Sequence, residues 1–194
     1  MRRVLSQFAT GVAVISVHHG DETHAMTANT FTSVSLDPPL VLFCVAKTAR
    51  MAGFVQAADS FAVSILSAGQ ENVSRHYAGS RKSEVTPEVA LQEGPVAPIV
   101  RGALAALSCR IEALHEGGDH WIVVGRVVDL HDPPVAGVER PLVFFRSRYC
   151  HVVERDLDES RPGETWSNDA ILIYHDEWSA GDGQPYDEPD SPWQ

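Results

Sequence analysis

Two long stretches, LAALSCRIEALHE (104–116) and DHWIVVGRVVDLHD (119–132), are separated only by Gly117 and Gly118. Their β-branched, aromatic and alternating residues suit a pleated surface, and a glycine pair is turn chemistry, so they read as two strands meeting at a tight turn. Extended patterns recur along the chain. VAVISVHHG (12–20) alternates toward a turn at Gly20-Asp21, and MTANTFTSVSL (26–36) stays extended until Pro38-Pro39 forbid a helix. LVLFCVA (40–46) is a continuous apolar run of the kind covered on both faces, and FAVSILS (61–67) and LVFFRSRYCHV (142–152) add one strand each.

Helical signals are few and short. Residues 3–10 place Val4, Leu5 and Phe8 on one stripe before Gly11. ARMAGFVQAA (49–58) places Met51, Phe54, Val55 and Ala58 at helical spacing with Thr48 as its expected N-cap, and QENVSRHYAG (70–79) is a third segment. Three prolines and mixed charge between 80 and 98 predict a loop. Six or seven strands with two or three short helices, and no regular strand-helix alternation, predict a mainly β protein: a closed antiparallel barrel with helical decoration rather than a doubly wound sheet.

Charge divides the 194 residues unevenly: residues 1–151 hold 14 acidic and 13 basic side chains, residues 152–194 hold 12 and 2. A near-neutral body with an acidic tail offers no counterion-releasing surface, so nucleic acid is not an expected partner. No apolar run approaches a membrane span, so no membrane partner is expected either. The start, MRRVLSQFATGVAVIS, imitates a secretory signal, but Ser6, Gln7 and Thr10 interrupt its apolar region. Cys44, Cys109 and Cys150 are widely spaced, an odd set without CxxC spacing, which predicts core thiols in a reducing cytoplasm rather than disulfides or zinc. Nine scattered His residues show no ligand spacing, and no metal site is expected.

Three polar constellations remain. The first is MTANTFTSVS, where strict alternation would put Thr27, Asn29, Phe31, Ser33 and Ser35 on one face and Ala28, Thr30, Thr32 and Val34 on the other. Such a face suits either a neutral ligand wall or an ordinary strand of good β propensity. The second is AKTARM, where Lys47, Thr48 and Arg50 meet a predicted helix start, as a phosphate site or a solvated cap. The third is GGDHW, which delivers His120 to the beginning of a strand, to contact a ligand or merely to close a hairpin. Motifs for nucleotide-binding loops, zincins and nucleophile elbows are absent from the sequence.

Taken in order, FATGVAVIS, MTANTFTSVSLDPPLVLFCVAKTAR, FAVSIL, HYAG, GALAALSCRIEALHEGGDHWIVVGRVV and PLVFFRSRY resemble the flavin reductase family, the short-chain NAD(P)H:flavin oxidoreductases of two-component monooxygenases. The resemblance implies a split β-barrel with Greek-key topology, a homodimer, FMN or FAD as flavin, NADH or NADPH as hydride donor, and a flavin-dependent monooxygenase as partner. It implies a flavin wall at Thr27, Ala28, Asn29 and Thr30, continued by Ser33, Val34 and Ser35. Cys44, Val45, Ala46, Lys47, Thr48 and Arg50 would approach the ribityl and phosphate groups, with Tyr77, Ala78 and Gly79 nearby and His120 and Tyr149 toward the nicotinamide. Hydride would pass between the cofactors, so no catalytic side chain is obligatory. Two rival readings keep the fold: an enzyme with a retained flavin acting on a small organic molecule, and a flavin-binding interaction protein without turnover. The resemblance covers a domain at 1–152, leaving 153–194 as an acidic extension with Trp166, Trp178, Trp193 and a strand-like AILIYHDEW.

Overall fold

A computed structural model describes residues 1–79, 91–131 and 140–152. The expectations for the extension at 153–194, and for most of the 80–98 loop, lie outside these residues. Seven strands form the main sheet: β2 (Ala13–His19), β3 (Glu22–Ala28), β4 (Thr32–Leu36), β5 (Pro39–Ala46), β6 (Ser60–Ile65), β9 (Ala105–Gly117) and β10 (His120–His131). Their order is β3-β2-β6-β9-β10-β5-β4, with every pairing antiparallel. The two edge strands, β3 and β4, are therefore consecutive in the chain. In a flat sheet they would stand about 29 Å apart, six gaps of about 4.8 Å. The link from Ala28 to Thr32 reaches only about 14 Å. The sheet must roll until its edges lie side by side, and because β3 and β4 do not pair, the result is a split β-barrel.

Alternate residues of β2, β5 and β6 fill the barrel. Ile15, Val17, Phe43, Val45, Phe61, Val63, Cys109 and Val123 are buried together. Helix α2 (Arg50–Ala57) adds Met51, Ala52 and Val55 to the same core. Phe43 and Phe61 meet edge to face at 5.1 Å. Gly125 lies at a register shift in β10, where a Cβ would overlap the Phe61 ring, so only glycine lets the strand pass so close.

The other face of β2 is also covered. Val12 and Val14 pack with Leu66, Val100, Ala103 and Leu142 in a second cluster, against Tyr77 of α3 (Glu71–Tyr77) and against Phe144 and Tyr149. Phe144 and Tyr149 belong to a three-stranded sheet of β1 (Thr10–Gly11), β11 (Leu142–Phe145) and β12 (Arg148–His151), ordered β1-β11-β12. A small pair, β7 (Leu91–Gln92) and β8 (Ile99–Val100), completes the strands among the described residues.

Four expectations need correction. LVFFRSRYCHV is a hairpin rather than one strand, turning at Arg146 and Ser147, which adopt φ of 49° and 61°. The stretch 26–36 is two strands, because its middle crosses the split. Strand β5 alternates buried Val41, Phe43 and Val45 with half-buried neighbours instead of being sealed on both faces. The first helix, α1, is only Arg2–Leu5, and Phe8 is 77% exposed rather than packed. Among the described residues no helix is long and apolar enough to cross a membrane.

Candidate functional site

Asn29, Thr30 and Phe31 link β3 to β4 across the split, and the strand face expected at 27–35 breaks there. Thr30 Oγ1 donates to the Cys44 carbonyl and accepts from the Cys44 amide, both at 3.0 Å. Its hydroxyl thus stands in for a strand partner and ties the link to β5, leaving it little capacity for a ligand. Asn29 is exposed, and its Nδ2 donates to Thr10 Oγ1 at 3.3 Å. Past the split, pairing steps from Ser33 opposite Val41 to Ser35 opposite Leu40, a bulge that leaves Val34 45% exposed. The Ser33 and Ser35 hydroxyls have no partner among the described residues.

Strand β5 ends where α2 begins, and β10 starts alongside. The register sets His120 opposite Ala46, Trp121 opposite Val45 and Ile122 opposite Cys44. The Lys47 amide donates to the Asp119 carbonyl at 2.9 Å, fixing this corner. Lys47 Nζ stands 3.6 Å from Glu116 and 4.9 Å from the Trp121 ring centre. His120 Nδ1 lies 2.7 Å from Asp119 Oδ1, which leaves Nε2 without a hydrogen bond among the described residues; the imidazole beside it holds the Asp119 carboxyl below its usual range. Helix α2 has Ala49, not Thr48, at its N-cap and no side-chain capping bond; the Ala52 amide donates to the Ala49 carbonyl at 3.0 Å, and the Arg50 and Met51 amides lack a side-chain acceptor. Arg50 turns the other way, pairing with Glu22 at 3.2 Å. Cys44 is half-buried, and desolvation pushes its thiol up.

A second group gathers on α3. Thr27 Oγ1 donates to the Ser74 carbonyl at 2.6 Å, and Ser74 Oγ lies 2.8 Å from the Tyr149 hydroxyl. Arg75 covers the Tyr149 ring at 4.9 Å. The Tyr77 hydroxyl is buried with no hydrogen-bond partner among the described residues, and burial raises its pKa. Ala78 and Gly79 end the helix, with Gly79 at φ 78° as the left-handed stop. Ala28 is buried against β2 and Val45 faces the core, so both contribute backbone rather than side chain to the site.

The residues singled out from the sequence therefore form two groups, joined by the 29–31 link. Ser33, Ser35, Lys47, Thr48 and His120 belong to the β4, β5 and β10 side, and Thr27, Tyr77 and Tyr149 to the α3 side. His120 and Tyr149 make no contact with each other. Ser74, Asp119 and Trp121 were not anticipated; a serine inside a short helix carries no sequence signal for the two contacts it makes. A shallow depression of about 280 Å³ lies apart from both groups, against the outer face of α2, with His19, Glu22, Arg50 and Phe54 among its walls. Among the described residues no three His, Cys, Asp or Glu side chains are grouped to hold a metal.

Neutral hydroxyls on a strand edge, an uncapped helix start beside a lysine, and a histidine at the same corner can hold a polar ring system with an anionic tail. The comparisons agree with that chemistry. The model of the flavin reductase like domain matches residues 5–153. The NADH-dependent FAD reductase of Streptomyces globisporus is 50% identical over 166 residues, 83% of this chain and 88% of the relative. The reductase component of the 4-hydroxyphenylacetate 3-monooxygenase of Thermus thermophilus is 43% identical over 153 residues, 78% of this chain and 95% of the relative. Among solved structures, the Streptomyces globisporus NADH:FAD oxidoreductase in complex with NAD and FAD fragments aligns with a TM-score of 0.72 at 43% identity, covering 81% of this chain and 93% of that one. With sequence and structural similarity in agreement, the chain belongs to the flavin reductase family.

Proposed function

We propose that this chain is an NADH-dependent flavin reductase that reduces FMN or FAD and supplies the reduced flavin to a partner monooxygenase. The observation that carries the reading is the unspent polar chemistry near the split: Ser33, Ser35 and Thr48 have hydroxyls without a partner among the described residues, next to an α2 start without a side-chain cap. That donor set fits a flavin, whose ring needs neutral donors and acceptors and whose phosphate suits helix amides and a cation. When bound, the flavin and nicotinamide supply the hydride chemistry themselves. The chain's residues bind and align them, which is where its contribution to the rate lies.

In this reading Thr27, Asn29, Ser33 and Ser35 face the ring, while the backbone of Cys44 to Ala46 carries the ribityl chain. Lys47, Thr48 and the α2 amides take the phosphate. Lys47 is held by its place over the Trp121 ring and by a partly exposed pair with Glu116, the kind of ion pair that yields at little cost. His120, pinned through Nδ1, keeps Nε2 for the nicotinamide nucleotide. Two wider features follow from the same reading. The exposed Val4, Leu5 and Phe8 support a homodimer that covers them. Three free cysteines support a cytoplasmic location.

NADH oxidation by the purified chain, with and without added FMN or FAD, tests the reading. Turnover that rises with added flavin is expected. A rate indifferent to added flavin, from a protein that keeps its own, would move the assignment to an enzyme with a retained cofactor.

A further inference from the structure

Two hydroxyls meet where α3 packs on β12: Ser74 Oγ and the Tyr149 phenol oxygen, 2.8 Å apart. Each carries one hydrogen, and the bond between them consumes one of the two. The other hydrogen has no partner among the described residues, and burial decides which oxygen keeps it. Ser74 is 0% exposed, whereas Tyr149 is half-buried. Were Tyr149 the donor, the leftover O–H would belong to Ser74 and be sealed from water as an unmet donor. With Ser74 as donor, the leftover O–H is the phenol's, at a residue that solvent or a ligand reaches. The second arrangement has the lower free energy.

The surroundings keep the phenol in one orientation. The Arg75 guanidinium lies 4.9 Å over its ring, Glu71 grips Arg75 at 2.8 Å and 2.5 Å, and Phe144 meets the ring edge at 5.3 Å. The Ser74 carbonyl meanwhile accepts from Thr27 Oγ1 at 2.6 Å and from the Ala78 amide at 3.0 Å. One buried residue therefore sets the direction of two hydroxyls: one on the β3 edge, one on the last hairpin.

We propose that Ser74 is a positioning residue: by donating to Tyr149 it makes the phenol present its O–H to a carbonyl oxygen of a bound heterocycle, and its own carbonyl holds Thr27 in place. This rests on the reductase reading above. Such an oxygen is carried both by the flavin ring and by the nicotinamide carboxamide, and the two arms of the test separate them.

The full chain is compared with Ser74→Ala, Ser74→Thr, Tyr149→Phe and the Ser74→Ala/Tyr149→Phe double variant. One arm is the dissociation constant for FMN, read from quenching of its fluorescence; the other is KM and kcat for NADH at saturating FMN. Ser74→Ala and Tyr149→Phe are expected to lose about tenfold in the same arm, flavin affinity for a flavin carbonyl or NADH KM for the carboxamide. The double variant should be no worse than either single one, because the two side chains act as a unit, and Ser74→Thr should restore the parent value. If Ser74→Ala does not fold, Ser74→Cys keeps the volume while weakening the donor, and the same losses are expected of it. Single variants within about twofold of the parent in both arms, or losses that multiply in the double variant, overturn the proposal. A parent chain that neither binds FMN nor oxidises NADH sinks the reductase reading itself, a failure visible before any variant is made.

Discussion

Strands β2, β6 and β9 on one side of the barrel, and the parting of β3 from β4 on the other, both carry serines and threonines, and they use them differently. On the closed side each strand is paired along both edges, and β2 and β6 are largely buried. There the Ser16 hydroxyl donates to the Pro98 carbonyl, and Ser64 Oγ accepts the Val100 amide at 2.9 Å. Those hydroxyls are spent on the fold. At the split, Thr30 is spent in this way on Cys44 and Thr27 on the Ser74 carbonyl, while the Ser33 and Ser35 hydroxyls have no partner among the described residues. In the proposed reading, a barrel with one unpaired seam separates stability from chemistry: the closed side supplies the packing, and the seam offers polar groups to a ligand.

The largest effect should come from the closed side. Phe61→Ala removes a fully buried ring that contacts Phe43 and Gly125, and a loss of about 3–5 kcal/mol in urea unfolding is expected. The fraction still folded should bind flavin as the parent does. An equal fall in its intrinsic flavin affinity would break the separation between the two sides.

Lys47→Ala should do the reverse. Stability is expected to stay within about 0.5 kcal/mol, since the Glu116 pair is partly exposed. FMN affinity should fall about tenfold, about 1.4 kcal/mol, while riboflavin, which lacks the phosphate, is unaffected. Equal losses for both ligands would remove Lys47 from the phosphate site.

Thr30→Val sharpens the boundary, since Thr30 is a seam residue whose hydroxyl the fold already uses. A destabilisation of about 1 kcal/mol is expected, with a smaller change in flavin affinity than Ser33→Ala or Ser35→Ala produces. If Thr30→Val instead weakens flavin more than either serine variant, its hydroxyl belongs to the ligand rather than to the seam.

The smallest effect concerns His24, half-buried and stacked on Phe54 at 5.1 Å. Burial, and then Arg50, lower its pKa in the folded state, so the unfolded chain takes up the proton first as pH falls. Its contribution to stability is complete above the ordinary imidazole range and is lost as pH drops through that range toward the lower folded value. Melting temperatures of the parent and His24→Gln across mildly acidic pH should converge as pH falls; parallel curves would show that His24 is not responsible.

Much of this architecture was legible in the chain. The β9-β10 hairpin, the extended run of β2 and the spacing of α2 are local patterns, and each element formed there, although the hairpin turn falls at Gly118-Asp119 with Gly117 in β9, and β2 is buried on both faces from Ala13 to Val17. Two of the errors fell where the chain passes from one strand to the next. Nothing in TANTFTSVS marks the point at which one barrel edge hands over to the other, because its residues suit a strand on either side. Arg146 and Ser147 turn the chain with left-handed backbone and no glycine to announce it. For the site, family resemblance named residues on both sides of the split, but it did not distinguish Thr30, spent on Cys44, from Ser33 and Ser35.

By itself the sequence determined a mainly β chain with few helices, one tight long hairpin, an uncharged polar stretch before a proline pair, and membership of a flavin reductase lineage. Those are consequences of local propensity, turn chemistry and motif order. Only the tertiary structure decided that the polar stretch straddles an unpaired seam, that His120 stands beside Ala46, and that Ser74 joins Thr27 to Tyr149. The physical reason is that a hydroxyl's role depends on which partner lies within about 3 Å, and these partners come from segments 47 and 75 residues away in the chain.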